Sequence, residues 1–325
     1  MDTSVGTLAA LATAAAWTVT AMAFEYAGKR IGAVALNFLR LVFGSVFLGL
    51  WGVAVSGAWL PLAAPASAWL WLGASGIVGL VVGDLLLFQA FIDIGSRVAM
   101  LVYATAPALA AALGFAVLGE RIAPAGLLGM ALTLGGIALV VTGRPGGASR
   151  APEGEATTGA DPGAGAGSPP RAVHRIRGLL LAFGGALGQA GGLILSKIGA
   201  AAGSAVGAGA MDPFAGTQIR VTAGVAGFAI ALVATRSWKG LGGALRDRKA
   251  IASLGLGSFF GPFLGVSLSL LAVQNASAGV ASAIMSITPV LIIAPSVLLW
   301  KEKVTAREIV GALVAVGGVF ALFLA

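Results

Sequence analysis

The residues of this chain with the most chemistry to offer are few, and they sit inside long apolar runs. Asp84 lies in VVGDLLLFQA, near the middle of one run. A carboxylate at the centre of a bilayer costs about 2.5–3.5 kcal/mol on insertion scales. Such a group faces protein, where it pairs or titrates. Two roles are open: contact with a cationic substrate group or a coupling proton, or a structural ion pair with Arg40. Arg40 and Arg220 each lie about two helical turns into a run. A guanidinium can grip a carboxylate by two parallel hydrogen bonds, or snorkel to the interface. That each half of the chain carries one favours the structural role. Gln89 and Gln189 sit within apolar runs and are candidates to line a cavity. Their alternative is interhelical hydrogen bonding, worth about 0.6 kcal/mol on average. Trp17 and Tyr103 offer apolar walls with a polar edge. The candidate substrate-binding set is therefore Asp84, Arg40, Gln89, Tyr103, Trp17, Gln189 and Arg220.

Something apolar must position these groups, and the composition says what. Of 325 residues, 58% are hydrophobic and only 10% charged, with mean hydropathy +0.98. A soluble domain carries about 25% charged residues, so this chain cannot solvate a globular surface. The class is a polytopic membrane protein whose surroundings are a lipid bilayer. The net charge of +8 comes from short connections between runs. There it sets membrane orientation and does not point to nucleic acid. Cysteine is absent and His174 is the single histidine, so neither a disulfide framework nor a metal site is expected. No phosphate loop or dinucleotide fingerprint occurs in a strand–turn–helix context; no cofactor and no enzyme activity are expected.

Ten segments have the length of a bilayer-spanning helix: 5–24, 33–55, 69–92, 96–118, 123–142, 176–197, 214–235, 251–272, 278–299 and 305–324. The expected fold is all-α. The first segment lacks a basic leader and reads as a retained helix, not a signal peptide. Residues 143–175, rich in Gly, Pro and Ala, read as a flexible linker. They separate a first unit, 1–142, from a second, 176–325. The units are copies. Pro107 and Pro289, Glu120 and Glu302, Gly129 and Gly311, and Gly135-Gly136 and Gly317-Gly318 are each 182 positions apart. Ser75, Gly79 and Gly83 map at that offset onto Gly257, Gly261 and Gly265, small-residue ladders that admit a neighbouring backbone. Arg40 corresponds to Arg220, and Trp17 falls opposite Gln189. Val266, however, stands where the first copy has Asp84. Five helices per copy make the second enter from the opposite side. That inverted-topology arrangement recurs in secondary transporters, with the substrate near the midplane.

The unit of a proline, an acidic turn Gly119-Glu120-Arg121 or Lys301-Glu302-Lys303, and a final glycine-punctuated helix resembles the EamA repeat of the drug/metabolite transporter superfamily. The resemblance covers essentially the whole chain outside the linker. It implies a secondary carrier, often an exporter, of small metabolites such as amino acids, working by alternating access in a prokaryotic plasma (inner) membrane. A lipid-carrier or drug-efflux role is the alternative within transport; a membrane enzyme or scaffold is the alternative outside it. Pro107 and Pro289 interrupt helices at matched places and are expected to be hinges. Glu120 and Glu302 are expected to cap the next helix and pair locally. Basic residues concentrate in the odd-numbered connections and the linker. The charge rule therefore puts those in the cytoplasm and both termini outside, whereas the resemblance implies cytoplasmic termini.

Overall fold

The computed structural model describes residues 3–94, 99, 102–143, 171–204, 211–234, 238, 241–300 and 304–324. Glu302 and most of the linker lie outside them. Among the described residues there is helix and no strand. The first unit runs α1 (Thr3–Ile31), α2 (Ala33–Ser56), α3 (Ala66–Ser75), a π-helical stretch Gly76–Gly83, α4 (Asp84–Ile94), α5 (Ala106–Leu118) and α6 (Pro124–Gly143). The second runs α7 (Arg171–Ser204), α8 (Pro213–Ala234), the single turn α9 (Leu241–Ala244) and α10 (Arg248–Ser258). A second π stretch, Phe259–Gly265, leads into α11 (Val266–Asn275), α12 (Ala278–Met285), α13 (Thr288–Leu291), α14 (Ile293–Trp300) and α15 (Ala306–Leu324).

Among the described residues six helical stretches are long and apolar enough to cross a membrane: Ser4–Gly28, Val34–Ser56, Ala66–Leu87, Ile176–Ser204, Pro213–Ala234 and Arg248–Asn275. Ala106–Leu118 and Pro124–Val140 are apolar but shorter. The segment expected at 278–299 is broken into three helical pieces. α7 extends past the expected 176–197 at both ends; at its start the added residues are polar and need no lipid.

Outward faces carry bare apolar side chains, among them Leu8, Leu70, Phe115, Ile230, Leu313 and Phe320. These would aggregate in water and suit a lipid surface. The interior is built from small residues. Its main cluster joins both units, with Ala9, Ala110 and Met130 packed with Ala190, Leu270 and Ala315. Alanine and glycine at helix contacts let backbones approach, which drives association where lipid is as apolar as protein.

The small-residue ladders pair the units crosswise. The first copy's π stretch lies on α7: a Cβ at Gly79 would sit 3.5 Å from the Gly192 Cα, and Ser75 Oγ donates to the Gly192 carbonyl at 2.6 Å. The second copy's π stretch lies on α1, where a Cβ at Gly261 would meet Thr20 Cγ2 at 2.8 Å. The final helices behave likewise. A Cβ at Gly129 would lie 3.0 Å from the Gly318 carbonyl oxygen, and one at Gly311 would lie 2.8 Å from the Gly136 carbonyl oxygen. Equivalent helices α6 and α15 therefore run antiparallel, with equivalent glycines exchanged.

The bundle has two ends. At one, Gly6 abuts Asn275 and Ala276. At the other, where the linker attaches, Gly178 abuts Asp93 and Ile94, and Arg30 Nε donates to Asp247 Oδ2 at 2.6 Å. Asp247 also caps α10, accepting from the backbone N–H groups of Lys249 at 3.1 Å and Ala250 at 3.0 Å. The hydrogen bond from Arg30 holds the Asp247 carboxyl below its ordinary value. A carboxylate lowered in the folded state contributes stability above its unfolded pKa and loses it as pH falls through the folded value. Asp247→Asn should therefore unfold at a slightly lower temperature than the native protein near neutral pH. The gap should close in acid below the carboxylate range. A gap of equal size across that range would show that the charge contributes nothing.

Candidate functional site

Three of the expected site residues come together. Arg40 Nη2 donates to Asp84 Oδ2, and the side chains are 20% and 18% exposed. Tyr103 is half-buried within electrostatic reach of both. Asp84 is the first residue after the π stretch. A π stretch shifts the register of all that follows and is frequent at functional sites. The ion pair does not exhaust Arg40, whose buried Nε has no hydrogen-bond partner.

Trp17 and Gln189 occupy equivalent places. A Cβ at Gly265 would lie 2.6 Å from Trp17 Nε1, and one at Gly83 would lie 3.4 Å from the Gln189 backbone nitrogen. Each therefore adjoins the last glycine of a π stretch, one residue before Asp84 or its counterpart Val266. Gln89 is turned to another task. Its Nε2 donates to Asp93 Oδ1 at 2.9 Å, one helical turn away. Arg177 Nε stands 3.4 Å from Asp93 Oδ2. The other amides bond backbone carbonyls: Gln218 those of Ser45 and Trp59, Gln274 that of Met211, and Asn275 that of Leu271.

Arg220 differs from its repeat partner. It is 5% exposed, and its Nε and Nη1 have no hydrogen-bond partner. Among the described residues it forms no ion pair. Thr217, one turn earlier on α8, also has a buried hydroxyl without a partner. The carbonyl oxygen of Arg220 occupies the space a side chain at Gly76 would need, so α8 meets the first copy's π stretch there.

Glu120 is a group whose role the sequence misplaced. Gly119, at φ 67°, turns the chain after α5, a conformation that suits glycine. Glu120 does not cap the helix that follows. It crosses to the other unit, where Oε2 accepts from the Ala278 N–H at 2.8 Å, at the start of α12. Its Oε1 lies 2.5 Å from Lys197 Nζ, with side-chain exposures of 15% and 12%. Lys197 donates in turn to the Ala276 carbonyl at 2.6 Å. A local capping role was the natural reading of a turn carboxylate, and nothing in the one-dimensional pattern marks Lys197 as its partner.

Pro107 and Pro289 do not kink continuous helices. Each follows a break, at 104–105 and 286–287, and sits in the first turn of α5 or α13. There the missing N–H leaves no bond unmade. The breaks are 182 positions apart, so this interruption is a property of the repeat. Among the described residues no group of three metal-ligating side chains occurs.

The EamA-like transporter family model matches the chain twice, at residues 4–142 and 176–324. No curated protein matches it. A solved crystal structure of a protein, 18% identical, is similar in fold, with a TM-score of 0.73 over 98% of this chain and 96% of the other. The chain belongs to the EamA-like transporter family and is a transmembrane transporter of the drug/metabolite transporter superfamily.

Proposed function

We propose that the protein is a secondary transporter, an exporter of a small organic metabolite such as an amino acid or a related compound, and that it works by alternating access. Ten membrane passes form two inverted five-helix repeats, residues 1–142 and 176–325, joined by the linker. The observation that carries this reading is the exchanged, antiparallel packing of equivalent elements. Gly79 on Gly192 answers Gly261 on Thr20, and Gly129 on Gly318 answers Gly136 on Gly311. Two copies related in that way have two equivalent arrangements, each opening the centre to one side. Arg40, Asp84, Tyr103 and Trp17 are the groups that meet cargo or a coupling proton, and the paired breaks before Pro107 and Pro289 are the hinges. The excess of basic residues in the linker and the connections at its end supports a cytoplasmic position for that end.

The test is transport by the purified protein in proteoliposomes, with a metabolite panel and with and without a proton gradient. Saturable movement of at least one small metabolite is expected. Failure across the panel, with correctly folded protein in both orientations, would favour a membrane enzyme or scaffold.

A further inference from the structure

We propose that Arg220 is the anchor for an oxyanion on the cargo, a carboxylate or a phosphate ester. The inference rests on the transporter reading and narrows its substrate class. Arg40 and Arg220 are repeat equivalents, but among the described residues only Arg40 of the two has a carboxylate partner, and Val266 stands where the second Asp84 would be. An isolated charge taken out of water is expensive unless it is paired and hydrogen-bonded. Buried polar groups left without a partner are few in native proteins. Arg220 combines both anomalies: it is 5% exposed, and its Nε and Nη1 are unpartnered.

Nε and one terminal nitrogen form an edge of the guanidinium fork, which matches two oxygens of a carboxylate or phosphate. The Thr217 hydroxyl, on the same face one turn away, is a further donor without a partner. An anion there would complete the electrostatics of the second unit as Asp84 completes those of the first. The place also suits a carrier. Arg220 belongs to the second unit, yet its backbone rests on Gly76 of the first, so relative motion of the units would alter the surroundings of the guanidinium.

The experiment is ligand titration of the full-length protein in nanodiscs, read by thermal shift and tryptophan fluorescence. The probes are glutamate, succinate and inorganic phosphate, with succinamide and putrescine as uncharged and cationic controls. At least one oxyanion is expected to bind, and neither control. Arg220→Gln should weaken that binding by about tenfold or more, equivalent to roughly 1.4 kcal/mol. Arg220→Lys, which keeps the charge and loses the fork, should fall between. Val266→Asp is the second arm. It rebuilds the first unit's pairing, so it should weaken oxyanion binding while the protein unfolds at an equal or higher temperature.

Absence of oxyanion binding to the native protein overturns the proposal, as does binding that survives both Arg220→Gln and Val266→Asp. Saturable transport of only uncharged or cationic cargo overturns it too, while leaving the transporter reading intact. Oxyanion binding through Arg220 without movement of any compound across the bilayer would do the reverse.

Discussion

Asp84→Val, which copies the second unit's residue into the first, should destabilise the folded protein by about 3 kcal/mol, the lower end of the range for breaking a buried ion pair. The lower end applies because each partner keeps about a fifth of its side chain exposed, 20% and 18%. The cost arises from the partner left behind. Arg40 cannot shed its proton, and its Nε already lacks a hydrogen bond, so the variant leaves a whole guanidinium uncompensated. Arg40→Leu should cost less, because an abandoned buried carboxylate can escape by binding a proton. The double variant Arg40→Leu/Asp84→Leu should recover most of the loss, since apolar side chains of similar volume commonly replace buried pairs without penalty. Unfolding of the purified variants measures all three. If Asp84→Val and Arg40→Leu lose equal stability and the double variant loses the sum, the residues do not act as a pair. Transport separates structure from chemistry: a stable double variant that moves cargo with unchanged pH dependence would leave Asp84 a purely structural residue.

The Arg40–Asp84 pair was legible in the sequence because the membrane allows so few partners. Two charges in neighbouring apolar runs, each costly alone, have little else to meet. The apolar runs were legible for a related reason, since bilayer thickness fixes segment length, but not their continuity: 278–299 breaks into three helical pieces. The glycine ladders were readable as contact surfaces, though not as to which helix each would meet. That the ladder of one unit packs on the first helix of the other follows only from three-dimensional closure. The π stretches were not readable, because Gly76–Gly83 has the same apolar composition as an ordinary helix, and register there is set by what the surrounding helices demand. The breaks before Pro107 and Pro289 were half readable: proline marks an interruption, but a kink and a new start share one sequence signature. Asp93–Arg177 and Glu120–Lys197 escaped because each joins a residue at a helix end to a distant residue in the other unit. Sequence distance hides such pairs, and a polar helix end is unremarkable by itself.

Those cross-unit contacts lead to the second large effect, a switchable block of transport. At the end opposite the linker, Glu120 is bonded to Lys197 and to the first N–H of α12, and Lys197 to the Ala276 carbonyl. Together they fasten α5 and α7 to the α11–α12 turn and close that end. If access alternates, this fastening must come apart in every cycle. The chain has no cysteine, so an introduced pair reports cleanly. A Cβ at Gly114 would lie 3.8 Å from the Ala278 Cβ, within disulfide range. It would also lie 2.6 Å from Glu120 Oε2, so Gly114→Cys displaces that oxygen from the Ala278 N–H, and the reduced double variant is the baseline for the oxidised one. Oxidised Gly114→Cys/Ala278→Cys should fall to the background of empty liposomes, and reductant should restore transport. Lys197→Met pushes the other way. Removing one partner of a buried charge pair costs about 2–5 kcal/mol, and the loss falls on the state in which the pair forms. A bias of even about 1.4 kcal/mol shifts that equilibrium tenfold toward opening. Ala278→Cys, fully buried when this end is closed, should then react faster with a membrane-impermeant maleimide by about that factor. Normal transport by the cross-linked protein, or labelling indifferent to Lys197→Met, would mean that this end is a fixed seam and that access changes elsewhere.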